Sequence, residues 1–256
     1  YRVQQGQTPA LCAQSPAVLH PDWVKITDTG SYLDPANPAV RQYIADALGE
    51  LCRNYAVDGV HFDDYFYPTT DPALDADDYA AAQTSLTLAQ WRTENVNALM
   101  QLCWQTVHGC GRRFGVAPAG DAVQCAAVQY SDAALWLRQP GYADYVMPQL
   151  YWGLQYTKNG DTSHSLTRLA AQWAALPRSG EVALYAGLGA YRIGAGDGSD
   201  TPGEWQTGHA LADQWRALQA AGIPGGGLYR YGSLFDGQAL ADAERQALGE
   251  EWGKNK

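Results

Sequence analysis

The chain has 256 residues, enough for one large domain or two small ones. Hydrophobic residues make up 46% of it, so it can bury a sizeable core, and 27 acidic residues against 17 basic ones give a formal net charge of −10. This acidic balance argues against nucleic acids and anionic membrane surfaces as partners.

Five cysteines without CxxC spacing predict neither a disulfide framework nor a zinc site. No apolar run is long enough for a transmembrane helix, and no signal peptide is visible. The aromatic residues are mainly Tyr and Trp. Their amphipathic rings suit surfaces that stack on sugars, and they equally suit the core of a large α/β domain.

Helices and strands alternate along the sequence. The stretch 36–55 places Asn37 at an N-cap, Pro38 at the first helical position and an apolar stripe at i, i+3 and i+4 spacing, so it predicts a helix. The run VDGVHF then predicts a buried strand, and a polar, acid-rich loop is expected over about 68–84.

The same alternation continues to the end of the sequence. Helices are expected at about 85–109, 131–139, 165–176, 203–221 and 236–252, and strands at RRFGVAPAG, DYVMPQLYW, EVALYAGLGAY and GGGLYRYGSL. Five strands that alternate with helices predict a parallel sheet. Because no low-complexity linker divides the sequence, residues 1–256 are interpreted as one domain.

Side-chain alternation favours a barrel over an open sheet. In the first strand Val60 and Phe62 lie on one face, whereas Gly59, His61 and Asp63 lie on the other. The later strands also have one apolar face and one face that mixes Gly with polar or aromatic residues. The mixed faces would form the interior of a (β/α)8 TIM barrel, with its site at the carboxyl ends of the strands. An open doubly wound sheet would instead have two apolar faces.

The sequence contains too few strands for a whole barrel. Five strands are convincing, and the opening YRVQQ is consistent with the tail of a sixth. We therefore expect an α/β fold of TIM-barrel type that lacks its first two to three strands, which the rest of the native chain would supply upstream. An isolated parallel sheet of five strands would expose two edges.

The stretch DGVHFDDYFYP contains the candidate catalytic residues. Asp63 and Asp64 lie side by side at the carboxyl end of a strand, where barrel enzymes keep their catalytic groups. Two nearby carboxylates raise the pKa of one of them, which provides a proton donor beside an anion. The alternative is an acidic turn that is solvated or hydrogen-bonded to helix N–H groups.

Other polar and aromatic residues near strand ends are interpreted as substrate-binding: Tyr1, Arg2, Asp34, His61, Tyr65, Tyr67, Asp121, Gln149, Tyr151, Trp152, Tyr191, Arg192, Arg230 and Tyr231. Gln149 would equally serve as a hydrogen bond inside the core, the arginines as partners of a rim acid, and Asp34 as an Asp-Pro turn. His61 with the two Asp residues is a possible ligand set, but no second His has ligand spacing, so neither a metal nor another cofactor is predicted.

The stretches DGVHFDDYFYP, YLDPANPAVRQYI, MPQLYWG, LYAGLGAYRIG and GGLYRYGSL together resemble a bacterial family of glycoside-hydrolase-like barrels, related to the family-10-like glycosidases. The resemblance covers nearly the whole chain and rests on the combination of motifs. It implies a TIM barrel that acts on bacterial cell-wall or related glycans, with its first strands upstream of YRV.

DGVHFDD is also similar to the DGxDxDxE strand of chitinase-type glycosidases, with Asp63 at the last Asp of that motif. Tyr65 stands where the motif has its acidic Glu, so that mechanism does not carry over directly. The adjacent pair instead resembles the Asp-Asp of substrate-assisted N-acetylglucosaminidases. That likeness implies that Asp63 orients or polarises the substrate acetamide and that Asp64 donates the proton, an exception to the usual two-carboxylate arrangement.

The sequence therefore predicts a glycoside hydrolase that acts on a polysaccharide or oligosaccharide of the bacterial cell-wall or N-acetylated type. A non-catalytic carbohydrate-binding barrel, a metal-dependent hydrolase and a fragment that is inactive without its missing strands remain alternatives. Localisation stays open, because the resemblance favours the cell envelope or the exterior, whereas the unpaired-looking cysteines favour a reducing compartment such as the cytoplasm.

Overall fold

The structure is a computed structural model that describes residues 13–63 and 66–253 and the backbone of residues 2–4. The strands are β1 (Arg2–Gln4), β2 (Val24–Thr27), β3 (Gly30–Leu33), β4 (Gly59–Phe62), β5 (Arg113–Val116), β6 (Tyr145–Val146), β7 (Gln149–Leu150), β8 (Ala183–Leu184), β9 (Ala186–Leu188) and β10 (Gly226–Leu228). The α-helices are α1 (Pro16–Leu19), α2 (Pro38–Asn54), α3 (Ala76–Ala81), α4 (Leu88–Gly109), α5 (Ala122–Gln129), α6 (Ala133–Arg138), α7 (Leu166–Ala174), α8 (Ala210–Ala220), α9 (Tyr231–Leu234) and α10 (Ala239–Gly253).

The chain divides into two compact units. The first unit comprises Tyr1–Phe114, Val123–Ala133 and Gly141–Ala143, and the second comprises Gly115–Ala122, Ala134–Pro140 and Asp144–Lys256. The interpretation of residues 1–256 as one domain stays a prediction.

An antiparallel sheet opens the first unit, and the sequence did not predict it. β3 lies between β1 and β2, with Arg2 opposite Tyr32 and Val24 opposite Leu33. A tight turn at DTG joins β2 to β3 and ends at Gly30, whose φ of +148° favours glycine. The expectation that YRVQQ is the tail of a parallel barrel strand is wrong for its described residues, because β1 pairs antiparallel with the free edge of β3.

The two long predicted helices of the first unit are present, and α2 begins at its predicted cap. The side chain of Asn37 accepts a hydrogen bond from the Ala39 N–H at 2.9 Å and caps α2. Thr87 begins α4 with a capping box. The two helices pack against each other. The expected acid-rich loop contains more structure than predicted, namely a 3-10 turn at Pro72–Leu74 and the helix α3.

The predicted strand VDGVHF is present as β4, beside the Arg113–Phe114 half of β5. The Arg113 N–H donates to the Asp58 carbonyl at 3.2 Å, and a Cβ at Gly59 would lie 2.5 Å from the Arg113 carbonyl oxygen. The expectation that this strand is buried is wrong. Gly59 and His61 are exposed, whereas Val60 and Phe62 are half-buried, because β4 has only one neighbouring strand among the described residues.

The second unit has the parallel pairing that the alternation of elements predicts. Its part of β5 pairs with β6 and β6 with β8, while β9 lies between β7 and β10, all in parallel register. Within the described residues these strands form open sheets rather than a closed ring. Each of the long predicted strands at 144–152 and 181–191 is divided into two short strands that pair in different sheets. The fold is therefore α/β with parallel sheets.

Two helices of the second unit are joined by a buried carboxylate. Glu244 of α10 is fully buried and accepts hydrogen bonds from the Ala210 and Leu211 N–H groups, at 2.8 and 2.9 Å. It thereby caps the first turn of α8 from a neighbouring helix. Burial raises the pKa of Glu244, although the two N–H donors oppose that shift.

Candidate active site

Asp63 directly follows β4, and its side chain is exposed. His61 lies two residues earlier and interacts electrostatically with Asp63. This interaction fits the expectation that the two side chains share one face of the strand. Partial desolvation lowers the pKa of His61, and the nearby Asp63 carboxylate opposes this shift. Asp64, Tyr65 and Tyr1 lie outside the described residues, and Arg2 is described only as a backbone position in β1.

Tyr67 is a predicted site residue that is buried in the first unit. It is 4% exposed, and its hydroxyl has no hydrogen-bond partner within the described residues. Burial raises the pKa of Tyr67, and the charges of Asp34 and Asp75 add to that shift. The phenol therefore stays neutral at physiological pH and can donate a hydrogen bond.

A buried ion pair lies behind Tyr67, and sequence reasoning missed it. Arg92 of α4 is fully buried and binds Asp75 in a bidentate manner, with Nε–Oδ2 at 2.9 Å and Nη2–Oδ1 at 2.5 Å. Its Nη1 donates to the Tyr130 hydroxyl at 2.9 Å, and its Nη2 donates to the Asp71 carbonyl at 2.7 Å. The guanidinium thereby ties the segment after β4 to α4.

The aromatic rings complete this network. Tyr67 and Tyr130 meet edge to face with centroids 5.2 Å apart, and the Arg92 guanidinium carbon lies 5.3 and 5.1 Å from the two centroids. A groove of about 480 Å³ opens beside Tyr67. Its lining consists of Thr29, Tyr32, Tyr67, Pro68, Thr69, Thr70, Val128 and Gln129. This lining offers hydroxyl, amide and apolar groups.

Asp34 forms the Asp-Pro turn that was one of its two interpretations. It is 3% exposed, and its Oδ1 accepts a hydrogen bond from the Ala36 N–H at 2.8 Å. Its Oδ2 lies 3.5 Å from the Lys25 ammonium, which also binds Asp78. Burial raises the pKa of Asp34, while the Ala36 N–H and Lys25 oppose the shift. The carboxylate is thus held inside the fold.

In the second unit, predicted residues follow the ends of the parallel strands. Gln149 in β7 is half-buried, and its Nε2 donates to the Ala117 carbonyl at 3.0 Å, which is the core hydrogen bond considered as its alternative. Trp152 lies next to the rings of Tyr156 and His164. Asp121 is half-buried and immediately precedes α5.

Three tyrosines from different strand ends form a cluster. The rings of Tyr151 and Tyr229 are stacked with centroids 5.7 Å apart, and Tyr191 meets both edge to face at 5.7 and 5.9 Å. The Arg192 guanidinium carbon lies 4.7 Å from the Tyr191 centroid. Sequence reasoning missed Tyr229, although it directly follows β10 and is half exposed.

Tyr231 is predominantly exposed, and its ring stacks on that of Phe235 with centroids 4.4 Å apart. Arg230 is also exposed and immediately precedes α9. These two predicted residues therefore lie on the solvent-facing side of the last strand–helix connection.

Two carboxylates that the sequence analysis did not single out fix the turn after Trp152. Asp197 accepts a hydrogen bond from the Gly153 N–H at 2.7 Å, and Glu204 accepts one from the Leu154 N–H at 2.9 Å. The buried Gln214 side chain donates to Glu204 at 3.1 Å. These contacts hold the turn after Trp152 against the segment that contains Asp197 and Glu204.

Across the described residues, no group of three or more His, Cys, Asp or Glu side chains is placed to hold a metal ion. None of the helices in the described part of the chain combines the length and the apolar character that a membrane span needs.

The parallel α/β fold is similar to that of solved glycoside hydrolase and chitinase domains. It is similar to the glycoside hydrolase domain of PgaB (BpsB) from Bordetella bronchiseptica, with a TM-score of 0.55 and 15% sequence identity, over 96% of this chain and 68% of that one. At that identity the likeness concerns the fold alone.

The sequence matches the family described as glycosyl hydrolase-like 10 over residues 3–206, and the chain belongs to this family. It is 30% identical over 217 residues to the glycosyl hydrolase YngK of Bacillus subtilis strain 168, covering 75% of this chain and 41% of YngK. It is 33% identical over 229 residues to the glycosyl hydrolase DigH of Escherichia coli K12, covering 76% of this chain and 49% of DigH. The chain thus spans half or less of the length of these relatives.

Proposed function

We propose that the chain is a glycoside hydrolase that cleaves a bacterial cell-wall-type or N-acetylated glycan with Asp63 and Asp64. The observation that carries the proposal is the position of Asp63, exposed at the end of β4 and paired electrostatically with His61. A reacting carboxylate must be open to its substrate, and strand ends are where barrel enzymes keep such groups. The names of the relatives YngK and DigH support the same class of reaction.

In this mechanism Asp63 orients the acetamide of the substrate, which attacks the anomeric carbon from within the sugar. Asp64 protonates the glycosidic oxygen as its bond to the anomeric carbon breaks. Water then opens the resulting oxazolinium ion, and Asp64 takes up the proton that this water releases. Proton transfer by a positioned acid contributes about 100- to 10,000-fold in rate. His61, whose pKa is lowered by partial desolvation, shares the strand face of Asp63 and can orient that carboxylate through a ring N–H.

Each unit, taken by itself, offers polar and aromatic groups of the kind that bind sugars. In the first unit, the groove beside Tyr67 has the neutral hydroxyl lining that suits a sugar. In the second unit, Gln149, Tyr151 and Tyr191 lie at or just after strands β7 and β9. Tyrosines combine an apolar face with a polar tip, as recognition of a pyranose requires.

We further propose that the parallel strands β4 to β10 are the later strands of a (β/α)8 barrel, whose first two to three strands lie upstream in the native chain. Among the described parallel strands, β4 and β8 end one sheet and β7 and β10 end the other, so each of them keeps an open edge. Open edges of this kind are normally covered or paired.

Reducing-end release from amidase-treated peptidoglycan and from chitin oligomers tests the catalytic proposal. The chain, with its native upstream sequence included, is compared with Asp63→Asn and Asp64→Asn. We expect each variant to lose at least about 100-fold in turnover. Asp58→Asn, a change of an exposed acid just before β4, is the matched control and should keep wild-type turnover. Activity of Asp64→Asn within about tenfold of wild type would remove the acid role from that residue.

A non-catalytic carbohydrate-binding barrel is the second candidate, and the exposed rings of Tyr229 and Tyr231 favour it. Such a protein needs the aromatic surfaces and no poised acid. Glycan binding by the wild type without any release of reducing ends, and unchanged binding by Asp63→Asn, would decide for this candidate.

A further inference from the structure

An aromatic stack stands on the surface of the second unit. Tyr231 is 74% exposed and Phe235 54% exposed, and their rings are stacked at 4.4 Å with an angle of 21° between their planes. The Arg245 guanidinium carbon lies over the Phe235 ring, 4.7 Å from its centroid. Because Tyr231 occupies one face of that ring, the guanidinium covers the other face.

The stack is anchored at its inner end. Arg245 belongs to α10 and donates hydrogen bonds to the Leu234 carbonyl, at the end of α9, and to the Asp242 carboxylate. Phe235 is therefore clamped between the guanidinium and Tyr231. Tyr231 is 74% exposed and stacks on Phe235 through one face of its ring, so the other face is turned to solvent.

A fixed, exposed tyrosine ring costs little conformational entropy when a ligand covers it, because its few torsions are already restricted. The C–H groups on the face of a gluco-configured pyranose are axial and apolar, so they fit the face of an aromatic ring. The positive charge of Arg245 is committed to the Phe235 ring and to Asp242, so the stack does not present it to a sugar carboxylate.

We propose that Tyr231 is the stacking platform of a saccharide subsite, held in place by Phe235 and Arg245, and that it recognises β-linked gluco-configured units by their flat face rather than by the substituent at C2. This inference rests on the proposed function, since it takes a glycan as the ligand. It assigns to Phe235 and Arg245 a positioning role and to Tyr231 the contact with the sugar.

Equilibrium binding of soluble hexasaccharides to the full chain tests the platform. We expect Tyr231→Ala to weaken binding of cellohexaose and of chitohexaose by about tenfold each, and Tyr231→Phe to bind both within about twofold of wild type, because the ring remains. Mannohexaose, whose axial 2-hydroxyl interrupts one of the two faces of each unit, should bind the wild type more weakly and lose less affinity in Tyr231→Ala. Tyr55→Ala, at a tyrosine of the first unit with 65% exposure, is the matched control.

The positioning role predicts a smaller effect for Arg245→Gln. Loss of one cation–π contact should weaken binding about two- to fivefold, with kcat unchanged wherever turnover is measurable. A purely structural role would instead lower the thermal midpoint and leave the affinity of the folded fraction unchanged.

Several outcomes separate the possibilities. Wild-type binding that is unchanged in Tyr231→Ala would overturn the platform and leave the proposed function standing. A wild type that neither binds nor cleaves any of these glycans would overturn both. A loss confined to chitohexaose, or an equal loss in Tyr231→Phe, would contradict recognition through the flat face. A dimer in sedimentation that Tyr231→Ala dissociates would show that a second copy covers the ring.

Discussion

The tyrosines of the two units are held in place by different forces. In the first unit Tyr67 is 4% exposed and lies against the buried pair of Arg92 and Asp75. In the second unit Tyr231 is 74% exposed and is held by ring stacking at the end of the β10 connection. The first arrangement depends on charges that must remain paired, and the second depends on strand register and ring contacts. A change of charge should therefore damage the first unit, and a steric change in a sheet should damage the second.

The largest loss in the free energy of unfolding is expected for Arg92→Met. The variant leaves Asp75 as an uncompensated buried charge and removes the donor that Tyr130 and the Asp71 carbonyl share. Removal of one partner of a buried ion pair costs about 3–5 kcal/mol in the free energy of unfolding. Urea unfolding measures the loss, and hydrogen exchange should locate it in the first unit.

Two further variants sharpen this prediction. Arg53→Met, at an exposed arginine near the end of α2, should stay within about 0.5 kcal/mol of wild type. Arg92→Met combined with Asp75→Leu should recover much of the loss, because no unpaired charge remains. Wild-type stability of the single variant Arg92→Met would show that the pair does not hold the segment around Tyr67.

A smaller loss in the free energy of unfolding is expected for Gly226→Ala in β10. The added Cβ would lie 2.4 Å from the Ala186 carbonyl oxygen, so β10 must move away from β9. Overpacking of this kind costs about 1–3 kcal/mol. Hydrogen exchange should show it in the second unit, at β9, β10 and the segment that leads to Tyr231.

Gly249→Ala is the matched control for that variant. Gly249 lies in α10, and a Cβ there would meet nothing within 4 Å. The change should therefore be neutral or stabilise the helix by up to about 1 kcal/mol. Equal exchange rates in wild type and Gly226→Ala would contradict the view that strand register positions the surface tyrosines.

The smallest effect concerns pH and is expected in both units. The pKa values of Asp34 and Glu244 are raised chiefly by burial. A carboxyl with a raised pKa stabilises the fold fully below its ordinary value of about 4, and this contribution is lost as the pH rises through the folded-state pKa. Asp34→Asn and Glu244→Gln should each remove part of the decrease in the free energy of unfolding that accompanies rising pH.

Urea unfolding between pH 3 and 7 measures the effect. As the pH rises, the free energy of unfolding of the wild type should fall more steeply than that of each variant. The amide itself adds only a difference that does not change with pH. Asp28→Asn, in the exposed turn between β2 and β3, should follow the wild-type curve. Parallel curves for wild type and Asp34→Asn would contradict the raised pKa of Asp34.

Local signals in the sequence predicted several elements correctly. The helix at 38–54 carries its cap and its apolar stripe within a few residues of each other, and the helix at 88–109 lies within the predicted 85–109. Alternation of helices and strands also predicted the parallel pairing of the second unit. The β2–β3 hairpin was missed because its strands are short and only a brief turn signal at DTG marks it.

Contacts between distant residues account for most of what the sequence could not show. Asp75 and Arg92 are 17 positions apart, and the charge of each is satisfied only after α3 and α4 are in place. The sequence left two interpretations of Asp34 open, because nothing in LDPANP reveals that its carboxylate is buried beside Lys25. Tyr229 was missed because only its contacts with the rings of Tyr151 and Tyr191, which follow two other strands, place it in a cluster. The roles of Asp63 and Asp64 stay predictions.

Simultaneous measurement of binding and of reducing-end release on chitin oligomers, for the wild type and Asp64→Asn, tests the glycosidase proposal most directly. We expect the variant to bind the oligomers within about twofold of wild type and to release reducing ends at least about 100-fold more slowly. Equal rates in the two proteins, or a wild type that binds the oligomers and releases no reducing ends, would contradict it.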